Sequence, residues 1–87
     1  MLFMVIERFR HGPEPVYERF KKQGRLNPPD LRYVNSWVAE DMSTCWQVME
    51  CESRASLDRW MAAWGDLVDF EIVPVVESNE AAARFSA

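Results

Sequence analysis

Glu7 is the residue whose position in the sequence most strongly suggests chemistry. It lies in the segment 2–9, which reads Leu-Phe-Met-Val-Ile-Glu-Arg-Phe and is predicted to be a strand with apolar side chains on both faces. Such a strand lies in the middle of a sheet, with another layer on each side. A carboxylate there is costly unless it is paired, hydrogen-bonded or next to water. Glu7 is therefore a candidate general acid or base; the alternative is a structural ion pair with an arginine of a partner subunit or with Arg8, Arg10 or Arg32.

Four further residues are predicted to bind a ligand together with Glu7. In the topology inferred below, the strand of Glu7 lies between those of Gln47 and Glu71, and two carboxylates in one cleft would raise the pKa of one of them. Gln47 is a polar residue in a central strand, so it is expected either to orient a ligand or to bond Glu7. Trp37 offers a stacking surface for an aromatic ligand. The predicted ligand-binding set is Glu7, Trp37, Gln47, Met49 and Glu71.

His11 is a weaker catalytic candidate, at the junction between the first strand and the first helix. It could shuttle a proton at the mouth of a cleft, but the sequence offers no obvious Cys, Ser or Asp partner for a dyad, which favours a surface histidine. It is the single histidine of the chain, and it has no close cysteine. We therefore expect neither a metal nor a cofactor.

Cys45 and Cys51 are predicted to be buried, reduced thiols. Placed six residues apart on one strand, they would be separated by roughly 20 Å at ~3.3 Å per residue. A disulfide needs Cα atoms within about 7 Å. Reduced thiols are typical of a cytoplasmic protein.

Composition limits the classes of partner. The 87 residues make one small domain, and a chain of this size is marginally stable unless a partner subunit or another device supports it. The net charge is −4 and no basic stripe is present, so nucleic-acid binding is disfavoured. No run approaches the ~18–20 apolar residues of a membrane-spanning helix, and the start lacks the pattern of a signal peptide. We expect a cytoplasmic protein that does not bind membranes.

Hydrophobic periodicity and turn residues predict the order strand, helix, strand, strand, helix, strand and C-terminal segment. Pro13 or Pro15 begins the first helix and Gly24 ends it, while Ser53 caps the second helix. Pro74 marks the last strand as an edge strand or as the site of a bulge. The domain is expected to span residues 1–77, followed by a short helix or tail; the predicted segments are 2–9, 13–23, 31–40, 44–52, 54–64, 68–77 and 78–87.

This order predicts an α+β, ferredoxin-like β-α-β-β-α-β fold with the first and third strands in the centre of a four-stranded antiparallel sheet. Both helices would cover one face, and the other face, apolar and open, would pack against a second copy to form a dimeric α/β barrel. We expect Leu2, Met4, Ile6, Trp46, Val48, Phe70 and Ile72 to point to the helices. The opposite face would carry Val5, Glu7, Gln47, Met49, Asp69 and Glu71.

Four stretches resemble a known family. They are Met-Leu-Phe-Met-Val-Ile-Glu-Arg-Phe at 1–9, Gly-Arg-Leu-x-Pro-x-x-Leu-Arg-Tyr-Val-x-Ser-Trp at 24–37, Cys-Trp-Gln-x-Met-Glu at 45–50 and Trp-x-x-x-Trp-x-Asp-Leu-Val-Asp-Phe-Glu-x-Val-Pro-Val at 60–75. Together they resemble the short bacterial proteins grouped as domain of unknown function 3303. The resemblance implies the dimeric α/β-barrel superfamily and implies no particular activity.

Two function classes follow. The first is a homodimer, joined through the open sheet face, that binds a small apolar or aromatic molecule in a cleft between the sheet and the helices or between subunits. The second is a cofactor-independent enzyme, of monooxygenase or isomerase type, with Glu7 as acid or base. The sequence shows no nucleophile, metal set or phosphate loop, which favours the first class.

Overall fold

A computed structural model describes residues 1–86 of the chain. Its sheet has the strand order β2-β3-β1-β4, and all neighbouring strands are antiparallel. The first and third strands are therefore central, which confirms the predicted ferredoxin-like, α+β arrangement. The elements are β1 (Leu2–Phe9), α1 (Pro13–Gln23), β2 (Arg32–Val38), β3 (Thr44–Glu50), α2 (Arg54–Ala62), β4 (Val68–Val75) and α3 (Ser78–Arg84).

Local signals set both ends of α1 and the start of α2 where they were predicted, while α2 ends at Ala62, two residues before the predicted end. Pro13 opens α1, where its missing N–H costs no helical hydrogen bond. Gly24 ends α1 with φ at 72°, and its N–H donates to the carbonyl of Phe20 at 2.7 Å. A positive φ of this kind favours glycine. At the start of α2, the Ser53 hydroxyl accepts the N–H of Ala55 at 3.2 Å, which confirms the predicted cap.

Each of the two edge strands has an irregularity: β4 contains a proline, and β2 contains a bulge. Pro74 lies in β4 opposite Phe3, and β4 is an edge strand, which is the first of the two predicted alternatives. In β2 the register with β3 shifts between Tyr33 and Asn35. This bulge brings Tyr33 and Ser36 onto one face, where their hydroxyl oxygens lie 2.6 Å apart.

The core lies between the sheet and α2. The apolar side of α2 supplies the buried Leu57 and Trp60, and Trp64 follows in the next turn of chain. They pack with residues from the strands and the loop before β2: Phe3, Val5, Leu31, Met49, Cys51 and Val68. The Trp60 and Phe70 rings meet edge to face at 5.7 Å, which places Phe70 on the helix side.

The predicted faces are wrong for β1 and β3 and right for β4. In β1 the residues beneath the helices are Phe3, Val5 and Glu7, so Leu2, Met4 and Ile6 lie on the opposite face. In β3 the inward set is Cys45, Gln47 and Met49, and Trp46 and Val48 point outward. Both strands are apolar on both faces, so periodicity alone did not choose between the faces. In β4, Phe70 and Ile72 face the helices and Asp69 and Glu71 do not, as expected.

The C-terminal helix adds little packing. Every residue of α3 is at least partly exposed, and Phe85 after it is 92% exposed. Ala87, the end of the predicted C-terminal segment, lies outside the described residues. Among the helices of residues 1–86, none has the length and apolar character to cross a membrane.

Candidate ligand site

Glu7 lies on the helix side of the central strand β1 and is only 6% exposed. Its closest hydrogen-bond partner comes from β3, because the Nε2 atom of Gln47 donates to Glu7 Oε2 at 2.7 Å. Cys45 lies directly opposite Glu7 in the strand pairing, on the same face of the sheet. Two neighbouring central strands thus place three polar side chains at one buried point.

Arg25 completes this group from the loop after α1. Its Nη1 donates to Gln47 Oε1, so the amide of Gln47 has its carbonyl toward the cation and its NH₂ toward Glu7. The guanidinium carbon lies 3.8 Å from the centre of the Tyr33 ring and 5.4 Å from that of Phe20. Cation–π contacts of this kind hold the guanidinium plane against the rings.

The backbone of Arg25 is held by α2. The Nε1 atoms of Trp60 and Trp64 both donate to the Arg25 carbonyl, each at 2.9 Å. These tryptophans are core residues, and they are also the donors that fix the loop. A loop pinned by two buried hydrogen bonds keeps the Arg25 side chain directed at Gln47.

The polar group opens onto a cavity of about 160 Å³ between the sheet and α1. Tyr17 and Phe20 of α1 form part of its rim, each about 40% exposed. Most of the lining is apolar or aromatic, and the charged members are Glu7 and Arg25. The lining residues are Glu7, Phe9, Val16, Tyr17, Phe20, Arg25, Ser36, Val38, Cys45 and Gln47.

Two larger depressions, of about 590 and 740 Å³, lie beyond the other end of β1. Most of their charged side chains already have ion-pair partners, although Glu52 in the first and Glu77 in the second have none among residues 1–86. In the first, Arg32 bonds Glu50 at 2.6 Å and Asp30 bonds Arg59 at 2.8 Å. In the second, Arg84 bonds Glu80 at 3.3 Å. The smaller cavity is the better candidate because it combines apolar walls with buried polar groups.

Burial decides the protonation of the cavity. Desolvation raises the pKa of Glu7 above its usual range, although the bonds from Cys45 and Gln47 and the charge of Arg25 oppose this rise. Burial, with the nearby Glu7 charge and hydrogen bond, raises the pKa of Cys45 to about 12. Burial also raises the pKa of Tyr17. Cys45 and Tyr17 are therefore neutral at ordinary pH.

Comparison with known proteins identifies the family of this chain. Residues 1–87 match the family model described as Domain of unknown function (DUF3303). The chain belongs to this family. Comparisons with curated proteins and with solved structures gave no match.

The structure of this DUF3303 chain brings together two of the five predicted ligand-binding residues, Glu7 and Gln47. Met49 shares their face but is fully buried in the core, outside the cavity lining. Glu71 lies on the opposite face and bonds Arg8 at 3.0 Å. Trp37 lies on that face too, opposite Trp46 and 55% exposed. The predicted placement of Glu7 away from the helices and beside Glu71 is therefore wrong.

Other predicted partners also lie elsewhere. His11 is exposed in the turn before α1, outside the cavity lining. None of the three arginines proposed as ion-pair partners of Glu7 pairs with it. Arg8 pairs with Glu71, Arg10 with Asp69 and Arg32 with Glu50. Both cysteines are buried free thiols, and Cys51 follows the last residue of β3. Within residues 1–86, no group of three potential metal ligands is assembled.

Arg25 is the residue of the candidate site that sequence reasoning missed. The sequence did contain one signal: Glu7 and Gln47 are polar residues on neighbouring central strands, and together they need a hydrogen-bond donor. Strand pairing alone does not identify a donor that comes from a loop. The predictions considered arginines on or beside the strands, and Arg25 reaches the site through the loop that follows Gly24.

The face of the sheet away from the helices, called the open sheet face below, is apolar in its middle. Val34, Trp46 and Val73 are 41%, 38% and 39% exposed there. Arg32 and Glu50 pair at one end of this face, and Arg8 and Glu71 pair toward the other. The strand pairing places on it Leu2, Met4, Ile6, Trp37, Trp46, Val48, Val73 and Val75.

Proposed function

We propose that this protein is a homodimer that binds a small apolar or aromatic molecule in the cavity between the sheet and α1. The observation that supports it most is the hydrogen-bonded chain from the part-buried Arg25 through Gln47 to the buried Glu7 at the wall of an apolar cavity. Buried charged groups cost several kcal/mol of folding free energy unless they are well compensated. A small domain gains nothing in packing from placing them there, which supports a role in binding.

The cavity size suggests a ligand with one ring. Its volume of about 160 Å³ is close to the ~150 Å³ of an engineered apolar cavity that binds benzene. Val16, Phe20 and Val38 supply apolar walls, and the polar group at the other side would orient the molecule.

The second copy would cover the open sheet face. Large exposed side chains, Trp37 above all, make this face apolar, and such faces on small domains mark interaction surfaces. Its rim carries arginines and carboxylates already in pairs, so two identical faces would meet without an excess of like charge. We also propose that the protein acts in the cytoplasm, where its two thiols stay reduced.

Binding can be tested by NMR with neutral single-ring probes, for example benzamide. The side-chain NH₂ of Gln47 is a direct reporter, because it lies at the cavity wall. We expect saturable shifts of this signal. Val38→Trp, which fills the mouth, should abolish them, while Val76→Trp, similarly exposed and outside the cavity lining, should not. A panel of neutral and anionic rings that leaves the Gln47 signal unmoved would refute the proposal.

A second candidate is a cofactor-independent isomerase, favoured by the raised pKa of Glu7. A carboxyl group whose pKa lies nearer neutrality is a better proton carrier. The ionised Glu7 would take a proton from the carbon beside a carbonyl group, which leaves an enolate, and would return the proton to a different carbon or to the opposite face of the same one. Cyclohexanone in D₂O offers a test, since exchange at those carbons is visible by NMR. Exchange no faster than in buffer, or unchanged in Glu7→Gln, would exclude this role for that class of compound.

A further inference from the structure

We infer that the ligand of this cavity is a single-ring monocarboxylate whose carboxylate is bound by Arg25. This inference rests on the proposed binding function and specifies its ligand. Seven of the eight arginines in the chain pair with a carboxylate in the structure. Within residues 1–86, the side chain of Arg25 has a single hydrogen-bond partner, the amide oxygen of Gln47.

The position of Arg25 leaves donors available to a ligand. A guanidinium group has five N–H donors, and Gln47 occupies one through Nη1. Tyr33 covers the face of the group at 3.8 Å, so the free donors lie along its edge. An edge with two parallel N–H groups is the geometry that binds a carboxylate with two hydrogen bonds.

The charge of the cavity favours an anion when Glu7 is protonated. The charged residues of the lining are Glu7 and Arg25. The other titratable groups that face Glu7, Cys45 from β3 and Tyr17 from α1, are neutral at ordinary pH. When Glu7 is protonated, the lining carries one positive charge, that of Arg25. A ligand carboxylate would balance that charge.

Shape limits the rest of the ligand. The apolar walls come from Phe9, Val16, Phe20 and Val38, and the volume of about 160 Å³ accommodates one six-membered ring. Benzoate therefore combines the expected ring and charge. Benzamide has nearly the same shape without the charge, so the pair isolates the contribution of the carboxylate.

The test compares the affinities of benzoate and benzamide by titration of the full-length protein at fixed salt. We expect benzoate to bind roughly tenfold more tightly, as for hydrogen bonds to a charged group. Arg25→Met should reduce the ratio of benzoate affinity to benzamide affinity to about one, whatever its effect on the binding of both compounds. Arg84→Met, which removes an exposed arginine of α3, is the matched control and should change neither affinity.

The outcomes separate the two proposals. Equal affinities for benzoate and benzamide in the unaltered protein would overturn the carboxylate inference and leave the binding function standing. Binding of neither compound would overturn both. If Arg25→Met does not fold, the affinity ratio in the unaltered protein decides, together with Arg25→Lys, which keeps the charge and should lose part of the preference.

Discussion

Gln47 Nε2 donates a 2.7 Å hydrogen bond to Glu7 Oε2, and both side chains are buried between the sheet and α1. The bond links the two central strands through their side chains. It also orients the Gln47 amide so that its carbonyl accepts from Arg25. The amide of Gln47 thus connects the carboxyl group of Glu7 to the guanidinium group of Arg25.

The pH dependence of stability should change when Glu7 is replaced. Burial raises the pKa of Glu7 in the folded protein, so the folded protein binds a proton at Glu7 more strongly than the unfolded chain does. The favourable contribution of Glu7 to the free energy of unfolding is complete below its pKa in the unfolded chain. It is lost as the pH rises through the higher pKa of the folded protein. Glu7→Gln should therefore match or exceed the unaltered protein in stability at about pH 8 and show a flatter profile above about pH 4. Urea unfolding at several pH values measures this.

Glu18→Gln is the control for that substitution, because Glu18 is exposed on α1 and pairs with Lys22. An exposed pair of this kind contributes about 0.5 kcal/mol or less. A loss of more than about 1 kcal/mol in Glu7→Gln at neutral pH would instead indicate that the ionised Glu7 stabilises the fold.

Val73→Glu should dissociate the proposed homodimer. Val73 is 39% exposed on the open sheet face, and a buried unpaired charge at an interface is strongly unfavourable. Sedimentation at micromolar concentration should show a dimer for the unaltered chain and a folded monomer for the variant. Leu26→Glu, at a similarly exposed position in the loop after α1, should remain dimeric. A well-folded monomer of the unaltered chain would contradict the proposed assembly.

Met49→Glu should unfold the protein rather than dissociate it. Met49 is fully buried beneath the helices, whereas Val73 faces outward. An uncompensated charge in the core costs about 3–5 kcal/mol, which is much of the stability of a small domain. Circular dichroism should show loss of structure. A folded monomeric Met49→Glu variant would place Met49 on the open face instead.

Trp64→Phe should weaken the support of Arg25. The substitution removes one of the two hydrogen bonds to the Arg25 carbonyl and keeps an aromatic ring in the core. We expect a stability loss of about 1–2 kcal/mol and a smaller preference for benzoate over benzamide. Trp46→Phe, on the open sheet face, should leave that preference unchanged. An unaltered preference in Trp64→Phe would show that this bond does not position the guanidinium group.

Cys45 should react slowly with disulfide reagents in the folded protein. Its pKa of about 12, against 9.0 for an ordinary thiol, lowers the thiolate population near pH 8 by roughly 10³-fold. The Cys51→Ser variant isolates its rate from that of the second thiol. Glu7→Gln should raise the rate, because the nearby carboxylate is one cause of the high pKa.

Intact mass without reductant should show no Cys45–Cys51 bond.

Local chemistry made several parts of this fold predictable. Gly24 ends α1 because its positive φ is easy for glycine, and Ser53 caps α2 through its hydroxyl. Pro74 lacks an N–H and so marked an edge strand. Each of these effects acts within a few residues, so the sequence alone determined the element order and the central position of β1 and β3.

Tertiary structure decided which face of β1 and β3 the helices cover, and therefore what surrounds Glu7. Both strands carry apolar side chains on both faces, so burying either set satisfies the hydrophobic effect and the period of two gives no choice. Contacts distant in sequence made the choice. Trp60 and Trp64 hold the Arg25 carbonyl, and Arg25 reaches Gln47, 22 positions away in sequence. The loop that carries Arg25 has no periodic pattern, so its partners are determined only when the helices pack on the sheet.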